Sequence, residues 1–192
     1  MLPFLYDKFK SWSEKGSVYI LSDTHFNDND CKLMDEAWLE PLDHVALINK
    51  YVHKNDTLIL LGDVGDISYI DKLKAGYKVL IMGNHDESVT KFKEVFNEVY
   101  EGALFISDKI LLSHEPIYGL DFCLNIHGHN HNKTEKDDEF HLNLASNICR
   151  WKPVSLKDIV KQGKISKIQT IHRKTINNAT MKKNFKNFSE KF

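Results

Sequence analysis

The sequence lacks what would mark a secreted, membrane-bound or fibrous chain. Its three cysteines, Cys31, Cys123 and Cys149, form no CxxC pair. An odd, scattered set argues against a disulfide framework and suits a reducing cytosol, with all three as small packing residues. No apolar run approaches the roughly 20 residues of a membrane span. The opening segment MLPFLYDKFKSW carries Asp7, Lys8 and Lys10 where a signal peptide needs an unbroken apolar stretch, so none is expected. Internal repeats are missing, and the only compositional bias is a Lys/Asn-rich end. A cytoplasmic location without membrane contact is the expectation.

What is there is enough for an ordinary globular domain. At 192 residues, 42% hydrophobic and 28% charged, the chain can bury a core without covalent staples. The formal net charge of −1 hides an uneven distribution. Residues 164–192 hold eight of the 26 Lys/Arg and one of the 27 acidic residues, Glu190, so this end carries +7 against −8 for the rest. Such a segment can reach nucleic acid, but more often it is solvated or folds back on an acidic body. The division expected is a domain over 1–176 and a basic, loosely ordered tail over 177–192. Ile165, Ile168, Ile171 and Ile176 call for burial, which favours packing of the segment that bears them. Phe185 and Phe188 are further candidates for packing.

Short apolar runs alternate with helical spacing. Residues 18–21, 58–61, 78–82, 109–112 and 122–126 read as buried strands. Residues 42–53, 67–73 and 88–96 read as helices, from Leu42, Val45, Ile48 and Val52, from Ile67, Ile70 and Leu73, and from Val89, Phe92 and Val95. Ser155 and Asp158 resemble a capping box, and Gly163 suits a helix C′ position. The alternation predicts an α/β (α+β) fold, a two-layer mixed β-sandwich flanked by helices. The later strands, including 140–144, are expected to pair as antiparallel hairpins.

The polar clusters are placed with a rule: each follows a predicted strand. The strands end in Ser22-Asp23-Thr24-His25, Gly62-Asp63-Val64-Gly65-Asp66, Gly83-Asn84-His85-Asp86, Ser113-His114-Glu115 and His127-Gly128-His129-Asn130-His131. Ligands in open α/β sheets bind outside the carboxyl ends of strands, so five clusters would meet at one edge. Asp23, His25, Asp63, Asn84, His114, His129 and His131 offer oxygen and imidazole donors without thiolate. That set suits manganese, iron or zinc better than calcium. Alone, an Asp-x-His or a GDxxD is common in loops and caps. Three imidazoles in five residues, following four other such clusters, are not a casual loop. His44, His53, His141 and His172 belong to no cluster and read as surface or packing residues. The glycines Gly62, Gly83 and Gly128 are expected to let the backbone bend beside a crowded site.

The series DxH, GDxxD, GNHD, H and GHxH, over about residues 18–131, resembles the calcineurin-like metallophosphoesterase superfamily. The stretch beginning Trp151-Lys152-Pro153 also looks like the segment that follows the last motif in small bacterial and phage members. The resemblance implies a dinuclear site at the strand ends. One cation would take Asp23, His25, Asp63 and His131, and the other Asp63, Asn84, His114 and His129. Manganese is the first expectation, with iron, zinc, nickel and magnesium as alternatives. The resemblance makes His85 the residue facing substrate and Asp66 the group that orients it. Chemistry agrees, since a carboxylate on one ring nitrogen favours a protonated ring able to serve a leaving oxygen. Asp86 has two readings, an orienting group or the cap of the next helix.

Departures narrow the implied activity. Protein Ser/Thr phosphatases of the superfamily carry Asp-Arg-Gly after GDxx and Glu after GNH, whereas this chain has Asp66-Ile67-Ser68 and Asp86. Phe26 is followed by Asn27-Asp28 rather than the Gly-His of many small relatives. The leading expectation is a phosphodiesterase or phosphomonoesterase acting on a small nucleotide-like phosphate ester at an open site. The alternative is a nuclease on nucleic-acid ends or single strands, supported by the basic tail and opposed by the acidic body. A non-catalytic scaffold of the same fold is disfavoured, because the whole ligand set and His85 are present.

Overall fold

The computed structural model describes the backbone of residues 1–189 and the side chains of residues 1–181. Four strands, β1 (Val18–Leu21), β2 (Thr57–Leu60), β3 (Tyr77–Ile81) and β4 (Glu98–Tyr100), run parallel in the order β4-β3-β2-β1. The second sheet holds β5 (Leu104–Ser107), β6 (Ile110–Leu112), β7 (Leu124–His127) and β8 (His141–Asn143) in the order β5-β6-β7-β8. A short β9 (Val154–Ser155) closes the first sheet, antiparallel to β1.

The continuous apolar runs follow from burial on both faces. Along β1, β2 and β3, Ile20, Ile59, Val79 and Ile81 point between the sheets, where they meet Ile106, Ile110, Leu112, Leu124 and Ile126. The alternate residues Leu21, Leu58, Leu60 and Leu80 face outward onto Val45, Ile48, Ile70 and Phe92. Parallel strands covered on both sides need no polar alternation, so they read as unbroken hydrophobic segments.

The helices are α1 (Cys31–Met34), α2 (Pro41–Tyr51), α3 (Val89–Val95), α4 (Leu156–Lys161), α5 (Lys164–Lys167) and α6 (Ile171–Ser189). The segment starting at Ile67 is a 3₁₀ helix, Ile67–Lys72, capped by Asp66, whose side chain accepts from Ser68 N–H. A second 3₁₀ helix, Asp7–Ser13, buries Phe9 and Trp12. Trp12 donates its indole N–H to Glu98 at 2.8 Å, which pins the N-terminal segment to β4.

Several expectations are corrected. In the second sheet, among the described residues, only β5 and β6 pair antiparallel; β6, β7 and β8 run parallel, because the long excursions between them return each strand in the same direction. Ser155 precedes α4 but makes no side-chain capping bond, whereas Gly163 does take the left-handed conformation expected beyond it (φ +82°). Of the four tail isoleucines, Ile168 is buried and Ile165 packs on the core, while Ile171 and Ile176 are 57% and 41% exposed. The packing of Phe185 and Phe188 and the order of 190–192 lie outside the described residues.

Candidate metal centre

Every sequence-predicted ligand sits just past a strand, and four of them turn the chain there at unusual cost. Asp23, His25, Asp63 and His129 have φ of 56°, 39°, 51° and 65°. Residues with a Cβ rarely take this left-handed region, and such strain concentrates at functional sites. The turns are tied to each other: Asp23 N–H donates to Gly62 O at 3.1 Å, and His25 N–H to Asp63 O at 2.9 Å. Of the three glycines expected to bend the chain, Gly62 takes the left-handed region, at φ +84°; at Gly83 and Gly128 the reason is space. A Cβ on Gly83 would collide with the Asp63 carboxylate, and one on Gly128 with Ser22 and Asp23.

The side chains converge in two groups. In the first, Asp23 Oδ1 lies 3.9 Å from His25 Nε2 and 3.4 Å from His131 Nε2. In the second, His114 Nε2 lies 2.9 Å from Asn84 Oδ1 and 3.1 Å from His129 Nδ1, and Asn84 Oδ1 lies 3.1 Å from His129 Nδ1. Asp63 stands between them: its Oδ2 is 3.6 Å from His25 Nε2 and 3.3 Å from His114 Nε2. Asp63 Oδ1 is engaged elsewhere, accepting the His85 N–H at 3.0 Å. A single carboxylate oxygen therefore faces both groups.

The tautomers can be read from the outer partners, because each partner atom can only accept. His25 Nδ1 is 3.1 Å from Asp28 Oδ2, His114 Nδ1 is 2.7 Å from Leu61 O, and His131 Nδ1 is 3.0 Å from Asn147 Oδ1. Each Nδ1 thus carries the proton and each Nε2 turns a lone pair inward. This is the arrangement that orients metal-binding imidazoles. Asp23 Oδ2 accepts His129 N–H at 2.9 Å, whereas buried Asp23 Oδ1 and His25 Nε2 have no hydrogen-bond partner among the described residues. Orphaned buried polar atoms of this kind are costly unless something else satisfies them. Inward lone pairs, unsatisfied oxygen and nitrogen, and the mixed O/N donor set fit a divalent cation at each group.

The charges of the centre act on one another. Burial opposes a charged ring at His114, but the Asp63 and Asp23 carboxylates outweigh it and raise its pKa to about 9. His131 is likewise raised, against its own burial, by Asp23. Asp63 stays below the ordinary carboxylate range: burial would raise it, and the hydrogen bond and charge of His114 prevail. His25, Asp28 and Cys31 also lie close together. There, burial pushes the Cys31 thiol up to about 12, far from the thiolate a metal would need.

Asn84, His85 and His129 are exposed at the mouth, so the centre opens to solvent. His85 and Asp66 line a cleft of about 420 Å³ together with Ile67, Glu87, Ser88 and Lys91. No hydrogen bond joins Asp66 to His85 among the described residues; Asp66 Oδ1 accepts Ser68 N–H at 2.9 Å. His44, His53, His141 and His172 stay out of the centre, with His44 and His141 buried and the other two exposed. Asp28 and Asn147 escaped the sequence reading. Asp28 stands three residues after His25, but Asn147 carries no local signal at all.

The sequence profile described as calcineurin-like phosphoesterase matches residues 16–182. Among solved structures, a protein of unknown function from Aquifex aeolicus, AQ665, is similar at 26% identity and a TM-score of 0.62. The match covers 76% of this chain and 98% of that one. No curated protein matches the chain.

Proposed function

The chain belongs to the calcineurin-like phosphoesterase family, whose activity is metal-dependent hydrolysis of phosphoesters, and we propose that it does so with two divalent cations on a small nucleotide-like mono- or diester. The observation that carries this reading is Asp63 Oδ2, set 3.6 Å from His25 Nε2 and 3.3 Å from His114 Nε2 between two ligand groups. Asp23, His25 and His131 would hold one cation with Asp63, and Asn84, His114 and His129 the other. Manganese is proposed first, since the donors are carboxylate, amide and imidazole. Bound there, the pair would polarise the phosphoryl group and supply a nucleophile at neutral pH.

The remaining roles belong to the chain. His85, exposed beside the centre with its N–H fixed on Asp63, is proposed to give a proton to the leaving oxygen. Asp66, across the same cleft, is proposed to orient it. The three free cysteines support the cytosol as the proposed location. Among the described residues, no helix is long and apolar enough to cross a membrane. A nuclease is the second reading, favoured by the basic α6.

The test is a panel run on protein reconstituted with Mn²⁺, comparing p-nitrophenyl phosphate, bis-p-nitrophenyl phosphate, cyclic nucleotides and oligonucleotides. Turnover of a small ester is expected. Fully loaded protein that hydrolyses none of them sinks the reading, and a strong preference for oligonucleotides puts the nuclease first.

A further inference from the structure

Asp86 is a carboxylate spent on backbone. Its Oδ2 accepts the N–H of Asp63 at 3.0 Å and of Gly83 at 2.9 Å, and its Oδ1 accepts the N–H of Val64 at 3.0 Å. It is not the cap of α3, which starts beyond Ser88. No Lys, Arg or His pairs with it among the described residues. Charge-assisted bonds to backbone N–H are among the stronger hydrogen bonds, and three converge here.

The bonds run both ways. Asp63 Oδ1 accepts His85 N–H, so the turn after β2 and the turn after β3 each hold the other's backbone with a side chain. The clamped residue, Asp63, is itself strained at φ 51°. With Oδ1 committed to His85, only Oδ2 is left for His25 and His114.

We propose that Asp86 is a positioning residue for the metal centre: it clamps the turns bearing Asp63 and Asn84 so that Asp63 presents one oxygen to both ligand groups. The inference rests on the two-cation reading. Asp86→Asn puts an NH₂ where an acceptor oxygen faced an N–H, so at least one of the three bonds is lost. Loss of an outer partner of this kind weakens metal binding by about 10–100-fold.

The experiment titrates metal-free wild type and Asp86→Asn with Mn²⁺ by calorimetry, records the melting temperature of each metal-free protein, and follows amide exchange at Asp63, Val64 and Gly83. Expected are two Mn²⁺ per wild-type chain, affinity 10–100-fold lower in the variant, metal-free melting within a few degrees, and faster exchange at Val64. Unchanged Mn²⁺ affinity, whatever happens to melting, overturns the role. If the variant does not fold, wild type decides: a clamp set before metal arrives protects all three amides in metal-free protein, and unprotected amides there overturn it. A wild type that takes up one Mn²⁺ fails the two-cation reading, and the affinity comparison at that site still judges Asp86.

Discussion

The N–H of His129 donates to Asp23 Oδ2 at 2.9 Å, across 106 positions of sequence. This bond holds one oxygen of Asp23 and leaves the other, buried and without a partner, aimed at His131. The first strand and the last histidine motif are thereby tied to each other.

Asp63→Ala is expected to remove both metal binding and turnover, since no neighbouring oxygen reaches His25 and His114 together. Metal analysis after dialysis checks it. Two tightly held cations per chain in the variant would contradict the shared role.

His85→Ala is expected to keep its cations and lose about 10²–10⁴-fold in turnover, the usual worth of a general acid. The loss should shrink for esters with good leaving groups, which need less protonation. Adding Asp66→Ala should cost little more if Asp66 acts through His85, because groups in one network are not additive. Fully additive losses would separate the two residues.

Asn147→Ala removes the acceptor that orients His131, 3.0 Å from its Nδ1. Mn²⁺ affinity should fall about 10–100-fold. Calorimetric titration decides, and wild-type affinity would mean the ring orients without it.

His44 is 1% exposed, and among the described residues neither ring nitrogen meets a partner at full hydrogen-bond geometry; the Thr24 backbone offsets its burial only in part. Burial lowers its pKa to about 4. An unfolded His titrates near 6.5, so between these values the unfolded chain takes up a proton that the folded chain refuses. Stability should therefore fall as the pH drops from about 6.5 to about 4, by up to about 3 kcal/mol at 1.36 kcal/mol per unit. Denaturant titrations of metal-free wild type and His44→Leu at pH 4.5 and 7.5 test this. An equal pH slope in both proteins would rule His44 out as the cause.

Truncation before Ile171 should leave melting nearly unchanged, since Ile171 and Ile176 are exposed. Truncation after Gly163 also removes Ile168, which is 5% exposed, and should cost about 1.5–3 kcal/mol for the lost burial of that side chain. If α6 is a nucleic-acid arm, the shorter truncation should weaken oligonucleotide binding and flatten its salt dependence. Unaltered binding would assign α6 no such role.

The sequence by itself determined which polar side chains would cluster and where along the chain they lie. A buried strand that stops in a polar turn is a local pattern, so Asp23, His25, Asp63, Asn84, His114, His129 and His131 could be picked out before any fold was known. The burial of β1 to β3 on both faces was legible for the same reason. Short edge strands such as β4, β5 and β9 were not, because two to four residues carry too little pattern. The tertiary structure alone decided what depends on distance across the chain. It set the parallel course of β6 to β8, the use of Asp66 at Ser68, and the outer partners Asp28 and Asn147. It also decided which nitrogen of each ring faces inward. A hydrogen bond is chosen by which turns the sheet order brings together, and nothing in the residues beside His131 announces that Asn147 will be its neighbour.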